Sequence, residues 1–312
     1  MATVSIIIPT FNRSKLLKEC VGSLLAQTHP EIEIIVVDDG STDDTQATVT
    51  ELAQKHNNIR YYTRSHLGAP AARNFGLTKA TGKFIGFFDS DDLWPLDYIK
   101  KMIKALNANP DFGAAYSKIM RFSDGEIRGQ YGAMANPPSG HITTDLFSGK
   151  PFILPSSTIF RKDVWAGMFW DEVLKNRQDF DTFLRISTRT TFMYIPDTYA
   201  IHRKHNNGIS VTAGNDVFDD GPRAMERFYF RLGGKSYVPK KLAFRRLSHR
   251  YRHFARRNFR AGNRTVSIAM LKRALSYYPL DLRLYVDLFH VFLSNPKNDK
   301  MPDWQMPPVL DE

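Results

Sequence analysis

The chain has 312 residues, of which 42% are hydrophobic and 24% charged, a composition typical of a globular protein. Its length allows one large α/β domain, or a domain plus an appendix. Its single cysteine, Cys20, excludes a disulfide framework or a cysteine-based zinc cluster and fits a reducing compartment. The N-terminus lacks the regions of a signal peptide, and no stretch approaches the roughly 18 to 20 apolar residues of a membrane-spanning helix. We therefore expect a cytoplasmic protein.

The first ninety residues alternate between buried strands and helices. Short β-branched or aromatic runs predict strands at residues 4–9, 32–37, 59–62 and 84–88, with helical spacing between them. Such near-continuous apolar strands suit a parallel sheet that is covered on both faces. The sequence therefore predicts an α/β fold with a doubly wound, mostly parallel sheet and helices on both faces.

The pattern loosens after Pro110. We predict a strand at 113–122, a hairpin turn at 123–125, a mobile loop at 129–149 and a strand at 153–160. A helix near 180–186 and an extended segment at 195–202 follow, and only helical patterns remain beyond residue 223. These patterns place a first domain at 1–220, a basic α-helical region at 221–295 and a Pro-rich tail, expected to be disordered, at 296–312.

The basic charge of the chain is concentrated in one segment. Residues 227–279 contain 15 Lys and Arg and no Asp or Glu, which leaves 28 basic against 32 acidic residues elsewhere. Aromatic residues are interspersed among these charges. The segment could lie on an anionic membrane surface, bind nucleic acid through its phosphates, or pack against the acidic body or a partner subunit.

The sharpest chemical signal is Asp89-Ser90-Asp91-Asp92, directly after the fourth buried strand. Ligands of open parallel sheets bind beyond the carboxyl ends of the strands. Clustered carboxylates there favour Mn²⁺ or Mg²⁺ with the phosphates of a nucleotide diphosphate. The alternative is a solvated turn that caps a helix. A dinucleotide-binding domain or a P-loop NTPase is disfavoured because neither GxGxxG nor a P-loop lysine is present.

Other polar residues follow strands or begin helices. Asp39 could bind a base or a ribose, or cap the next helix, whereas Asp38 is expected to be structural. Arg73 lies near a helix N-terminus that attracts anions, or forms a surface ion pair. Asp179 and Asp181 are candidates for a general base, although Asp at a helix start is common.

Taken together, these residues resemble the family-2, GT-A-fold, inverting glycosyltransferases. Four segments in order carry the resemblance: Val4-Ser-Ile-Ile-Ile-Pro-Thr-Phe-Asn12, Ile35-Val-Val-Asp-Asp-Gly-Ser-Thr-Asp43, Gly68-Ala-Pro-Ala-Ala-Arg-Asn-Phe-Gly76 and Phe87-Phe-Asp-Ser-Asp-Asp-Leu-Trp94. The looser segments 167–185 and 202–210 extend it, so that it spans about residues 3 to 212.

The resemblance implies a nucleotide-sugar site. In it, Thr10, Phe11 and Asp39 hold the nucleoside, Arg73 lies beside the base or diphosphate, and Asp89 lies near the ribose and metal. The donor that the family favours is a UDP-sugar, and the cofactor is Mn²⁺ or Mg²⁺.

The resemblance also implies a metal ligand and a base. Asp91 is the direct metal ligand of an Asp-x-Asp motif, and His205 assists at the metal or diphosphate, although His202 is close enough to take that role. Asp179 is the catalytic base. Many relatives have Glu before this aspartate, whereas this chain has Gln178, a departure from the family pattern on the acceptor side.

The implied reaction is a single displacement in surface polysaccharide or glycolipid assembly, in which Asp179 deprotonates an acceptor hydroxyl. A glycan or lipid-linked acceptor places the enzyme peripherally on the cytoplasmic face of a membrane, and nucleic acid becomes an unlikely partner. Homo-oligomers are compatible with the C-terminal helices. Two alternatives stay open: a nucleotidyltransferase on a similar sheet, and a non-catalytic nucleotide-sugar-binding module.

Overall fold

A computed structural model describes residues 4–174, 176–204, 220–295, 299–303 and 305–306. The chain divides into two compact units, one of Met1–Val173 with Ile186–Gly208 and one of Leu174–Arg185 with Ile209–Glu312. The domain limits near residues 220 and 295, and the disorder of the tail, stay predictions.

The first half of the first unit has the strands and helices that the sequence predicts. The strands are β1 (Val4–Thr10), β2 (Ile32–Asp38), β3 (Ile59–Thr63) and β4 (Phe84–Phe87), and the helices are α1 (Ser14–Leu25), α2 (Thr45–Lys55) and α3 (Ala69–Lys79). The strands are parallel in the order β3-β2-β1-β4. Every residue of β1 and β2 is buried, which is why both strands are so apolar.

The second half extends the sheet with mixed pairing. Its elements are α4 (Tyr98–Ala108), β5 (Phe112–Ser123), β6 (Glu126–Tyr131), α5 (Thr143–Phe147), β7 (Thr158–Arg161) and β8 (Thr191–Arg203). β7 is antiparallel to both β4 and β5, β6 is antiparallel to β5, and β8 is parallel to β5. The prediction of an α/β fold with a mostly parallel sheet is confirmed.

Three local expectations need correction. The hairpin turn is present, with positive φ at Asp124 and Gly125, but β6 continues to residue 131 where a loop was expected. The short α5 also lies in that expected loop. The strand expected at 153–160 begins only at Thr158, because Pro155–Ser157 form a 3-10 turn in which proline cannot donate to a strand ladder.

α3 packs very closely on β1, the strand that ends at Thr10. A Cβ added at Gly76 would overlap the side chain of Ile7 in β1 and lie 3.3 Å from Val37 Cγ2 in β2. Only a residue without a side chain allows this approach of helix and sheet. The contact fixes where α3 begins relative to the ends of β1 and β2.

The second unit is helical. Besides residues 178–185 of α6 (Gln178–Ser187), it contains α7 (Gly221–Phe230), α8 (Lys240–Arg260), α9 (Arg264–Tyr277) and α10 (Leu282–Leu293). Asp299 accepts hydrogen bonds from the backbone N–H groups at the start of α9. Of the helices in the described ranges, none has both the length and the apolar character to cross a membrane.

Candidate active site

Three adjacent parallel strands deliver polar residues to one edge of the sheet. Thr10 is paired in register with Asp38, and its carbonyl accepts the N–H of Asp39 at 2.9 Å. The loops that follow β1 and β2 are joined at Asn12, whose Oδ1 accepts the N–H of Thr42 at 2.7 Å. β4 lies on the other side of β1 and leads directly into Asp89. The carboxyl ends of β1, β2 and β4 therefore form one ligand-binding edge.

The two aspartates after β2 have different partners. Asp38 accepts the N–H of Ser41 at 2.8 Å and the hydroxyl of Tyr61 at 2.7 Å, so both of its oxygens are used to hold the turn. Asp39 accepts the backbone N–H groups of Leu67 at 2.9 Å and Gly68 at 2.7 Å. Asp39 thus fixes the loop before α3, and its oxygens retain lone pairs for a further donor.

An aromatic pair lies beside this carboxylate. The ring of Phe11, which is 39% exposed, stacks on His66 with ring centroids 4.1 Å apart. His66 Nδ1 also lies 2.9 Å from Asp39 Oδ2. The hydroxyl of Thr10 is buried and has no hydrogen-bond partner within the described residues. An exposed planar stack next to a buried hydroxyl suits a flat, polar-edged ring such as a nucleobase.

Arg73 connects α3 to the acidic cluster. Its Nη2 donates to Asp89 Oδ1 at 2.6 Å, and its guanidinium lies 4.6 Å from the ring centroid of Trp170. The Asp89 N–H donates to the hydroxyl of Ser156 at 3.0 Å. Arg73 is 7% exposed, and its Nε has no hydrogen-bond partner among the described residues. Asp89 is therefore held in a fixed orientation next to a buried cation with donor capacity left.

Asp91 and Asp92 have separate roles. Asp91 accepts from Arg13 Nη1 at 2.9 Å, which ties the acidic cluster to the loop after β1. Asp92 is fully buried and accepts from His202 Nδ1 at 3.1 Å and from the Arg203 N–H at 3.2 Å. This pairing connects the cluster to the end of β8.

The Asp92–His202 pair is electrostatically unusual. Burial raises the pKa of Asp92 to about 6, although the His202 partner acts in the opposite direction. Burial alone lowers the pKa of His202, but the hydrogen bond and charge of Asp92, with the charges of Asp91 and Asp89, raise it to about 9. At neutral pH the pair is therefore carboxylate and imidazolium, with His202 Nδ1 donating to Asp92. His205 lies outside the described residues.

The carboxylates also bear on the expected metal. Among the residues that the structure describes, no three His, Cys, Asp or Glu side chains form a ready-made metal cluster. A Mg²⁺ or Mn²⁺ ion needs only one or two carboxylates when substrate phosphates and water complete its shell. Asp89 and Asp91 supply such hard oxygen ligands, and the buried Asp92 Oδ2 has no hydrogen-bond partner in the described ranges. The chemistry of this donor set fits the ion.

The second unit contains the candidate base. Asp181 is fully buried, with Arg185 Nε at 2.8 Å and Arg227 Nη2 at 2.6 Å from its two oxygens, which identifies it as a structural ion pair. Asp179 is half-buried in the first turn of α6. The Gln178 side chain donates to the Leu174 carbonyl at 2.8 Å and so closes the preceding turn.

Four residues at the ligand-binding edge were not predicted from the sequence. Arg13 and His66 lie in loops without a recognisable motif, and Ser156 and Trp170 are 67 and 97 residues away from their partners in the chain. Only the position of Arg13, just after the first strand, could have indicated it.

Comparison with known proteins identifies the family. The profile described as Glycosyl transferase family 2 matches residues 5–168, more than half of the chain. The chain belongs to this family. The matched range includes every candidate residue from Thr10 to Asp91, so the resemblance found in the sequence is confirmed.

The sequence identity to individual relatives is low. The chain is 29% identical over 213 residues to the putative teichuronic acid biosynthesis glycosyltransferase TuaG of Bacillus subtilis, which covers 66% of this chain and 81% of TuaG. It spans about a third of the length of the first curated relatives that it matches, two uncharacterized glycosyltransferases of Rickettsia.

Solved glycosyltransferase structures share the fold. Residues 1–349 of Staphylococcus aureus TarS in complex with UDP-GlcNAc match with a TM-score of 0.58 at 19% identity, over 94% of this chain and 91% of that chain. The mannosyltransferase PcManGT of Pyrobaculum calidifontis, in complex with GDP-Man and Mn²⁺, matches with a TM-score of 0.57 at 19% identity, over 95% of this chain and 81% of that chain. The expected GT-A architecture is thereby confirmed.

Proposed function

We propose that this family-2 glycosyltransferase is a metal-dependent, inverting enzyme that transfers a sugar from a nucleotide diphosphate sugar, with UDP as the expected nucleotide, to an acceptor hydroxyl. The observation that carries the proposal is the convergence of Phe11, Asp39, Asp89 and Asp91 at the carboxyl edge of three adjacent strands. Ligands of open α/β sheets bind at this edge.

The first part of the proposal, donor binding, follows from the contacts at that edge. The Phe11–His66 stack borders the base, the buried Thr10 hydroxyl can donate a hydrogen bond, and the Asp39 carboxylate can accept one from the polar edge of the base or from the ribose. Arg73 keeps Asp89 oriented toward the ribose and retains a buried Nε–H for the diphosphate. Because these groups are held before the donor arrives, binding costs little reorganisation.

The second part, metal binding, rests on the oxygen ligands that Asp89 and Asp91 supply and on the structural neighbour PcManGT, which was solved with Mn²⁺. Asp91, with Asp89 beside it, would hold Mn²⁺ or Mg²⁺, and we propose His205 as an assisting ligand. When bound, the ion stabilises negative charge on the departing diphosphate. Arg13 holds Asp91 in place through its 2.9 Å ion pair.

The third part, activation of the acceptor, assigns the role of catalytic base to Asp179. Asp181 is excluded from that task because its carboxylate is buried between two arginines. In the proposed step, Asp179 accepts the proton of the acceptor hydroxyl while that oxygen attacks the anomeric carbon and the nucleoside diphosphate leaves from the opposite face. The configuration at the anomeric carbon is therefore inverted. TuaG, whose name gives teichuronic acid biosynthesis, supports a surface polysaccharide or glycolipid as the product class.

A product assay tests the proposal. The full chain is incubated with UDP-sugars and Mn²⁺, and nucleoside diphosphate and transferred sugar are quantified. We expect release of nucleoside diphosphate rather than pyrophosphate, and its loss with EDTA. Asp179→Asn should lose transfer but retain donor binding, whereas the control Asp97→Asn, a surface residue paired with Lys101, should retain both. Metal-independent turnover or pyrophosphate release would contradict the proposal.

A further inference from the structure

The last of the described helices, α10, has an exposed apolar face. Leu284 and Val291 of α10 are buried against the second unit. The opposite face has six large apolar side chains that are 48% to 77% exposed: Leu282, Tyr285, Val286, Phe289, Phe292 and Leu293. Their spacing of three and four residues forms one continuous stripe along the helix. A stripe of this size on a soluble protein marks an interaction site.

A row of cations lies on the neighbouring helix. The side chains of Leu247, Tyr251 and Phe254 bury one face of α8. The exposed face carries basic residues at helical spacing, at positions Lys241, Arg245, Arg256 and Arg260. Since residues 227–279 contain no acidic residue, only Asp or Glu from other segments can neutralise this row.

Direct contacts place the apolar stripe and the cationic row on neighbouring helices. Asp287 of α10 pairs with Arg252 Nε of α8 at 2.7 Å, and Arg256 Nε lies 3.9 Å from the same carboxylate. Burial lowers the pKa of His249 in α8, and nearby cations that include Arg283 of α10 lower it further. The two helices are therefore neighbours at the point where Asp287 of α10 meets Arg252 and Arg256 of α8.

We propose that α8 and α10 form a docking surface for a lipid bilayer with anionic headgroups, with the apolar stripe of α10 entering the headgroup boundary and the cationic row of α8 contacting the phosphates. An amphipathic surface helix binds a membrane through buried apolar area together with attraction to anionic lipids. Tyr285 suits the headgroup level, where tyrosine is enriched, and Phe289 and Phe292 suit the buried face of a helix that lies in the interface.

Charge decides between a bilayer and a second copy of this chain. A two-fold dimer brings the same patch of both subunits together. Asp287 pairs with Arg252 and lies near Arg256, but Lys241, Arg245 and Arg260 have no ion pair among the described residues. Two such rows would repel each other, which opposes self-association. An anionic bilayer instead neutralises the row.

Vesicle binding tests this proposal independently of any enzymatic activity. The full chain is sedimented with vesicles of phosphatidylcholine alone or with 30 mol% phosphatidylglycerol, at low and high salt (a probe composition on the order of natural anionic surfaces). We expect binding to the anionic vesicles, weakened by salt. Phe289→Glu should weaken it roughly tenfold to a hundredfold, the factor expected for one buried aromatic side chain.

A charge variant and a control complete the design. Lys241→Gln combined with Arg245→Gln should weaken binding about 25-fold, or about fivefold for each cation. Ile127→Glu, which places the same new charge at an exposed apolar position of β6, should bind like the wild type. Urea midpoints identical to the wild type will show that all variants are folded.

Three results would overturn the proposal. These are equal binding to neutral and anionic vesicles, no vesicle binding at all, and a wild-type dimer that Phe289→Glu dissociates without any change in vesicle affinity. Donor binding measured on the same variants keeps this test separate from the proposed function, because Phe289 lies outside the donor residues.

Discussion

Replacing Arg73 by Met removes a buried cation while keeping most of the apolar stem of the side chain. The substitution breaks the 2.6 Å bond to Asp89 and the contact with the Trp170 ring. Asp89 stays behind with a side chain that is 27% exposed, so water can solvate part of the abandoned carboxylate. The protein should therefore become less stable, and the orientation of Asp89 should be lost.

The magnitude follows from those two contacts. A hydrogen bond to a charged group contributes about 1.5–3 kcal/mol, and a cation over an indole contributes about 0.5–2 kcal/mol depending on its exposure. The partial exposure of Asp89 reduces the first contribution. We expect Arg73→Met to lower the free energy of unfolding by about 2–3 kcal/mol. Arg73→Lys should restore only part of this lost free energy of unfolding, because an ammonium cannot donate two parallel hydrogen bonds or stack on a ring as a planar guanidinium does.

Equilibrium unfolding in urea measures the effect, provided that the slope of free energy against urea stays unchanged. Lys55→Met is the matched control, since its pair with Glu51 lies on an exposed helix face with side chains 62% and 58% exposed. We expect this control to stay close to wild-type stability, because exposed ion pairs contribute little. The reasoning is refuted if Arg73→Met costs no more than Lys55→Met, or if Arg73→Lys is as stable as the wild type.

Further predictions concern packing, the candidate base and pH. Gly76→Ala should lower the free energy of unfolding by about 1–3 kcal/mol, because the added Cβ would overlap the sheet. Gly22→Ala has no atom within 4 Å of the added Cβ and should raise the free energy of unfolding by up to about 1 kcal/mol through helix propensity. Urea unfolding of both variants checks this, and a Gly76→Ala variant as stable as the wild type would contradict the close packing. Asp181→Asn should destabilise the protein by about 3–5 kcal/mol because Arg185 and Arg227 lose a buried carboxylate partner, while the surface variant Asp97→Asn should stay close to wild-type stability; equal unfolding midpoints would refute the distinction. The raised pKa of His202, about 9 against 6.5 unfolded, provides stabilisation that is complete below pH 6.5 and lost as pH rises to 9, so wild type should lose more stability over that interval than His202→Gln, and parallel pH profiles would contradict this.

The first four strands and their polar ends could be predicted because burial on both faces leaves a continuous apolar signal. Asp89 and Asp91 were identifiable for the same reason, since both carboxylates follow directly after a strand, 84–88, that contains no charged residue. By contrast, α5 and the end of β6 lie in a Gly- and Pro-rich stretch whose composition favours turns. Pairing with β5 overrides that preference in β6, and burial of Leu146 and Phe147 accompanies the short helix α5.

The partners of the site residues could not be predicted. Arg13 and Asp91 are 78 residues apart in the chain, and Arg73 and Trp170 are 97 apart. No periodicity links such pairs, because the fold alone brings them together. In the structure, Leu174–Arg185 belong to the same compact unit as the C-terminal helices.

Calorimetric titration of UDP, with and without Mn²⁺, tests most directly whether the carboxylates after β4 hold a metal-bound diphosphate. We expect wild type and the surface control Asp97→Asn to bind UDP at least tenfold more tightly with Mn²⁺, and Asp91→Asn to lose that gain while remaining folded (the factor corresponds to about 1.4 kcal/mol). UDP binding that is independent of Mn²⁺, or a full Mn²⁺ effect in Asp91→Asn, would contradict the account.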